Sequence, residues 1–360
     1  LTKERVMRFV QARGSFYEVA LQVGEECRSD IPEVYNRGME YLLKHTMVGH
    51  GMQIEKRRSL IHDRAQFYLR KGEEIWKPSG IYLRAQAKGA SVDESVIAVT
   101  SFTEEVSSEA GIIPPDKCST WVGRFSDGAI RHVHNEDFEE HNRSNMVLLD
   151  VVFDGFLRSV GLTYSGQLFN LAGSLNAARI GITNNGFHPL AQPGWPKQVL
   201  HCRASLTQSM RGAKTWLSLQ PNAVTTGYVV VCGRTGEAVS LMVSNLKTAK
   251  LEMDLLPIQD VFYCTNHVPP GRLGLHLPDP AIAASPNSFE RYDVLANFKP
   301  NELPKNLQEG IYLFANHPVL FRKAGASVTL ATVAMCATTG EFLVYDADPS
   351  AQKRYWPFYL

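Results

Sequence analysis

Pairing is what the cysteines of this sequence lack. The six, at 27, 118, 202, 232, 264 and 336, are scattered over 360 residues with no CxxC among them. That density is far below a secreted disulfide scaffold, so they are expected as reduced thiols of a cytoplasmic chain. Charge of one sign is lacking too. The 37 Lys plus Arg nearly cancel the 36 Asp plus Glu without any long block, which argues against a nucleic-acid or anionic-membrane partner. The opening LTKERVMRFV contains no apolar stretch of signal-peptide or transmembrane length, and the closing RYWPFYL is no lipidation or peroxisomal signal. Residue 1 is Leu rather than Met, so an upstream segment is expected. There is no internal repeat, no low-complexity linker, no HExxH and no Gly-rich loop in the strand-to-helix context of a nucleotide site. What remains is one compact globular domain that acts on a small molecule or peptide, with 44% hydrophobic residues to build its core.

The chain changes character at Pro114-Pro115. Before it, Val6, Phe9 and Val10, then Ile31, Val34 and Tyr35, then Met39, Leu42 and Leu43 recur at helical spacing, which predicts helix over residues 1–50 and again over 60–75. Ser91 followed by Glu94 predicts a capping box ahead of a further helix. After it come strand pairs with turn residues at their centres: WVGRF and AIRHV around Ser-Asp-Gly, MVLLDVVF and FLRSVGLTY around Asp-Gly, YVVVCG and EAVSLMV around Arg-Thr-Gly, and SVTLATVAMCA and EFLVYD around Thr-Thr-Gly. Two helical stretches interrupt them: residues 197–217, with a break expected near Gly212, and 285–298, starting at cap residues Ser285 and Asn287. Strands in two groups, with helices before and between them, predict an α+β protein with helices outside stacked antiparallel sheets.

Within the first hairpin a lone cysteine, Cys118, stands at the start of a strand just after a Pro-rich segment. A two-residue Asp127-Gly128 loop sets Ser126 opposite Ala129 and Cys118 opposite Asp137, with β-carbons about 5 Å apart. A three-residue loop moves the partner to Glu136 or Phe138. Cutting the Lys117–Cys118 bond leaves thiol and α-amine on one residue, and an amine of pKa about 8 is a base near working pH. Nucleophile and base then need no distant histidine. Against this stands the ordinary role of a single cysteine as a small buried hydrophobe.

Here the residues resemble a family, the N-terminal-nucleophile hydrolases related to fungal isopenicillin N acyltransferase (acyl-CoA:6-aminopenicillanate acyltransferase) and insect β-alanyl-amine hydrolases. The resemblance rests on GSFYEVALQVGEE at 14, SFTEEVSSEAG at 101, CSTW at 118, HNEDF at 134, NLAGSLNAARIGITNNG at 170, YCTNH at 263, SFERYDVL at 288 and LFRKAGASVTLATVAM at 320. It implies a four-layer αββα fold and a zymogen that cuts itself between Lys117 and Cys118. The products are an α fragment, 1–117, and a β fragment, 118–360, which stay associated as one domain and are compatible with further homo-oligomers. It implies Cys118 as nucleophile, Asp137 as its partner and Asn266 as the side-chain oxyanion donor. A backbone N–H near Asn184 or Asn185 is the second donor. Arg322 is implied to support the nucleophile or a substrate carboxylate, Arg291 to be structural and paired to an acid, and His134 to contact substrate. The implied activity is amide-bond hydrolysis or acyl transfer on a small acylated amine in secondary metabolism. It needs no cofactor, although acyl-CoA is compatible as co-substrate.

One departure and one rival accompany this reading. The acyltransferase has Gly where Lys117 stands, which favours, as the alternative, an uncleaved inactive relative serving as a binding or scaffold protein. The rival is a metal-dependent hydrolase using His132, His134, Glu136 and Asp137, with His267 as a remote ligand. Strand alternation sets His132 and His134 on one face and Asp137 on the other, and no metal is expected. Trp121 is expected beneath helices, and the aromatic tail YWPFY to dock on the body.

Overall fold

The computed structural model describes residues 7–45, 51–109, 118–124, 127–138, 140–186, 193–243, 261–266, 286–297, 306–315, 328–346 and 355–360. The N-terminal third holds strand β1 (Arg8–Gly14) and helices α1 (Phe16–Glu26), α2 (Ile31–His45), α3 (Ile54–Ile75), α4 (Pro78–Ala90), α5 (Glu94–Ser101) and α6 (Thr103–Glu109). Helix over residues 1–50 is therefore corrected at its start. Val10 and Ala12 alternate with exposed neighbours, a period of two that β1 uses by pairing in parallel with β4 (Met146–Phe153). The Ser91–Glu94 capping box is also corrected. Ser91 is the left-handed C-cap of α4, and Asp93 caps α5 by accepting from the Ser95 amide. The real capping box is Ser15 with Glu18, at the start of α1.

The hairpins form where turn chemistry and alternation agree. They are β2 (Ser119–Arg124) with β3 (Ile130–Phe138), β4 with β5 (Ser159–Tyr164), β8 (Thr226–Cys232) with β9 (Glu237–Val243), and β11 (Val328–Cys336) with β12 (Glu341–Asp346). Strands β6 (Gly173–Asn176), β7 (Ile180–Gly186), β10 (Val261–Cys264) and β13 (Tyr355–Tyr359) complete two sheets, in orders β1-β4-β5-β6-β7-β8-β9 and β10-β2-β3-β11-β12-β13. Among the described strands, all pairings are antiparallel except β1 with β4, which amends the expectation of purely antiparallel sheets. The tail docks as edge strand β13, where Pro357 is tolerated because an edge strand has one unpaired side.

Alternation along the strands sorts the core into layers. Met146 and Leu148 of β4, Val229 and Val231 of β8, Val122 of β2 and Val333 and Met335 of β11 meet in one cluster between the sheets. Their neighbours point outward. Val147, Leu149 and Val151 pack under α1 to α6 and α7 (Lys197–Ser205), while Tyr228 and Val230 pack under α8 (Met210–Leu217). On the far side, Trp121, Val133, Ala334 and Cys336 pack under α9 (Pro286–Ala296) and α10 (Leu307–Phe314). The order helices, sheet, sheet, helices is a four-layer αββα fold. The break between α7 and α8 falls at 206–209 rather than at Gly212, whose amide instead donates to the Ser209 cap. All six cysteines are buried and unbridged.

Candidate active site

The site is built on β2 and β3. Alternation turns Thr120 and Val122 of β2, with His132, His134 and Glu136 of β3, toward the other sheet. It turns Ser119 and Trp121, with Val133, Asn135 and Asp137, toward α9 and α10. Ser119 pairs with Asn135 and Thr120 with His134, so the strand neighbour of Cys118 is Glu136. The expected pairing with Asp137 is thus corrected by one residue. Arg124 pairs with Ile130, leaving 125–129 between the paired ends. Asp127 folds back to accept from the Ala129 amide, and Gly128 takes φ +77°. A loop of odd length shifts the register, and a shift of one exchanges faces.

The Cys118 thiol belongs to the inter-sheet side. Sγ donates to Glu136 Oε2 at 3.5 Å, and the other oxygen, Oε1, accepts from the Tyr164 hydroxyl at 2.6 Å. Glu136 Oε2 is also 3.2 Å from His134 Nε2, while His134 Nδ1 lies 2.8 Å from Thr120 Oγ1. Thr120 donates its single hydroxyl proton to Asn185 Oδ1 at 2.7 Å, and Asn185 Nδ2 faces the Cys264 carbonyl, which orients that amide. Thr120 can therefore only accept from His134, so Nδ1 carries a proton and Nε2 faces the carboxylate. The run Cys118, Glu136, His134, Thr120, Asn185 is one chain of contacts with its chemical end at the thiol.

The Cys118 carbonyl belongs to the opposite side. Arg291, fully buried on α9, donates to that carbonyl, to Ser119 Oγ at 2.7 Å and to Asn266 Oδ1 at 2.9 Å. Asn266 in turn sends one N–H to the Gly186 carbonyl at 2.8 Å. Asp137 lies 3.9 Å from Arg291 and accepts from Thr329 at 2.5 Å. Burial pushes the Asp137 carboxyl up to about 6, against the lowering pull of Arg291 and Thr329. The distance explains that balance. At 3.9 Å, without a direct hydrogen bond, the guanidinium does not repay the loss of water.

A cavity of about 140 Å³ opens beside the thiol, lined by Cys118, Glu136, Tyr164, Asn184 and Lys197 and by the apolar side chains of Val34, Phe138 and Leu171, among others. Lys197 opens α7 with its amide donating to Glu105, while its ammonium reaches Glu104 at 2.5 Å and Asn184 at 3.3 Å. Burial opposes the charge on Lys197, but Glu104 and then Glu105 outweigh it and its pKa is raised. Burial, reinforced by Glu104, pushes Glu105 up to about 8, against the lowering pull of Lys197.

Of the residues expected at the site, Cys118, His134 and Asn185 join the thiol chain, and Asp137, Asn266 and Arg291 join the carbonyl side. Lys117, Arg322 and His267 lie outside the described residues. From the sequence, Glu136 is expected as a rival metal ligand and, under an odd-length loop, as the partner of Cys118; Tyr164, Lys197 and Glu104 are not expected at the site. The others come from segments far apart in the chain, where no spacing signals them.

No family model matches this sequence, and no curated protein matches it. Among solved structures, a mutant of conjugated bile acid hydrolase from Clostridium perfringens aligns at 12% identity over 67% of this chain and 92% of its own, with a TM-score of 0.41. A second variant of that enzyme aligns at 13% identity over 68% and 97%, with a TM-score of 0.39. The site described above rests on its own geometry.

Proposed function

We propose that this chain is the precursor of a cysteine N-terminal-nucleophile amidohydrolase or acyltransferase of the isopenicillin N acyltransferase-like family. Its substrate is the amide or thioester of a small acylated amine. One observation carries the reading: Cys118, at the start of β2 and on the wall of the cavity, presents its thiol to a carboxylate while a buried guanidinium grips its carbonyl. A structural cysteine needs neither partner.

Self-cleavage comes first. Cys118 has φ +65°, a left-handed backbone that costs a non-glycine residue about 1–3 kcal/mol, and that strain sits next to the bond to be broken. Glu136 takes the thiol proton and Sγ attacks the Lys117 carbonyl carbon. The C–N bond then breaks as the departing nitrogen takes the proton back. Water hydrolyses the resulting thioester, which leaves a Lys117 carboxylate and a Cys118 bearing both thiol and α-amine.

In turnover the α-amine is the base, and Sγ attacks the substrate carbonyl. Asn266 and a backbone N–H near Asn184 or Asn185 are the proposed oxyanion donors, each worth about 3–4 kcal/mol of barrier where such a donor has been removed. The acyl-enzyme is released by water or by an acceptor amine. The size of the cavity suits a short acyl group or a single ring. No cofactor is proposed.

Mass spectrometry of the purified protein tests this reading. The expected result is two fragments, the larger beginning Cys-Ser-Thr, and a Cys118→Ala chain that stays whole and inactive. An intact wild-type mass near 40.1 kDa, with a Cys118 that resists alkylation, would sink it.

A further inference from the structure

The same corner of the molecule has the shape of a metal site. Cys118, His134 and Glu136 each offer one ligand atom, and the three atoms lie within 4.8 Å of one another. We propose that Sγ, His134 Nε2 and Glu136 Oε2 bind one divalent cation of the zinc class, with the fourth position open to the cavity, and that its occupancy silences the thiol. The silencing rests on the reading of Cys118 as nucleophile; the binding does not.

Geometry supports it first. With zinc bonds of about 2.3 Å to sulfur, 2.05 Å to nitrogen and 2.0 Å to oxygen, tetrahedral angles place sulfur about 3.5 Å and nitrogen about 3.3 Å from the oxygen. The structure holds them at 3.5 Å and 3.2 Å. These edges already have zinc-site lengths before any cation enters.

The hydrogen-bond pattern supports it second. Thr120 accepts from His134 Nδ1, so Nε2 is the ring nitrogen turned to the carboxylate oxygen. A second shell is also in place: Thr120 fixes the ring tautomer, and Tyr164 holds Glu136 by its other oxygen. The mixed thiolate, imidazole and carboxylate set suits zinc better than the harder magnesium or calcium.

The test uses the full-length chain, treated with chelator and dialysed, then titrated with Zn²⁺ alone by calorimetry in two buffers of different ionisation enthalpy. Expected is one equivalent bound per chain. Affinity should fall at least about a hundredfold in Cys118→Ala and in His134→Gln, and about 10–100-fold in Thr120→Val, which leaves all three ligands in place. Co²⁺ in place of Zn²⁺ should show a thiolate charge-transfer band that Cys118→Ala abolishes, and bound Zn²⁺ should protect Cys118 from alkylation, read by peptide mapping. No stoichiometric uptake by a chain shown to be folded by circular dichroism would overturn the proposal, as would equal uptake by Cys118→Ala and His134→Gln. Chain mass on the same sample separates the two readings: a cleaved chain without uptake leaves the hydrolase and removes the metal, and uptake by an uncleaved chain does the reverse.

Discussion

Two adjacent residues of β3, Glu136 and Asp137, carry the same functional group into opposite surroundings. Glu136 faces the gap between the sheets at the edge of the cavity, its side chain 12% exposed, with the thiol, an imidazole and a tyrosine around it. Asp137 faces α9, sealed from solvent, beside a threonine hydroxyl and a guanidinium at 3.9 Å. Both networks end on Cys118, one at its thiol and the other at its carbonyl. Glu136 borders the cavity, from which a proton can be exchanged, whereas Asp137 is sealed from solvent and does not reach it. Strand alternation sets the two carboxylates on opposite faces of the sheet.

The comparison breaks most sharply at Glu136. Glu136→Gln keeps the shape and removes the proton acceptor, so self-cleavage of freshly made chain, followed by mass, should slow about 10²–10⁴-fold. A variant that cuts itself at the wild-type rate would remove Glu136 from the mechanism.

On the sealed side the expected loss is stability. Arg291→Met strands Asp137 and frees the carbonyl of Cys118, which should cost about 3–5 kcal/mol in urea unfolding. Wild-type stability in that variant would mean that the buried guanidinium is replaceable.

Asp137 should show itself through pH. Its folded carboxyl titrates at about 6, above the unfolded value of about 4, so the folded state holds the proton more tightly. That contribution is full below pH about 4 and is lost as pH rises through about 6, a change on the order of 3 kcal/mol. Asp137→Asn should flatten the urea midpoints across that window; an unchanged slope counts against a buried, high-pKa carboxyl.

The smallest effect is expected from Tyr164→Phe. It removes one hydrogen bond to Glu136, worth about 1 kcal/mol, and should lower the alkylation rate of Cys118 only several-fold. A loss as large as that of Glu136→Gln would promote Tyr164 from a positioning residue to a partner in proton transfer.

How much could be read beforehand varies with the range of the cause. The four hairpins were legible because alternation and turn residues act within about ten positions of one another. β1 was not, since RFVQARG satisfies helical and strand spacing alike and its pairing partner lies in β4. The capping box lies at Ser15 rather than Ser91 because Ser91 is spent as the left-handed end of α4, which leaves Asp93 to cap α5. The nucleophile candidate was legible from a lone cysteine at a strand start, but its carboxylate neighbour was off by one because a single loop residue decides the register.

From sequence alone, then, came the alternation that divides β2 and β3 into two faces, the hairpin that brings an acidic pair back toward Cys118, and the apolar strands that require two stacked sheets. Those properties are local, set by side-chain order and turn chemistry. Only the tertiary structure decided which acid meets the thiol, which arginine grips its carbonyl and that Lys197, Glu104 and Tyr164 line the same cavity. These residues lie up to 173 positions from Cys118, and packing of four layers, not any spacing in the chain, is what brings them within a hydrogen bond of one another.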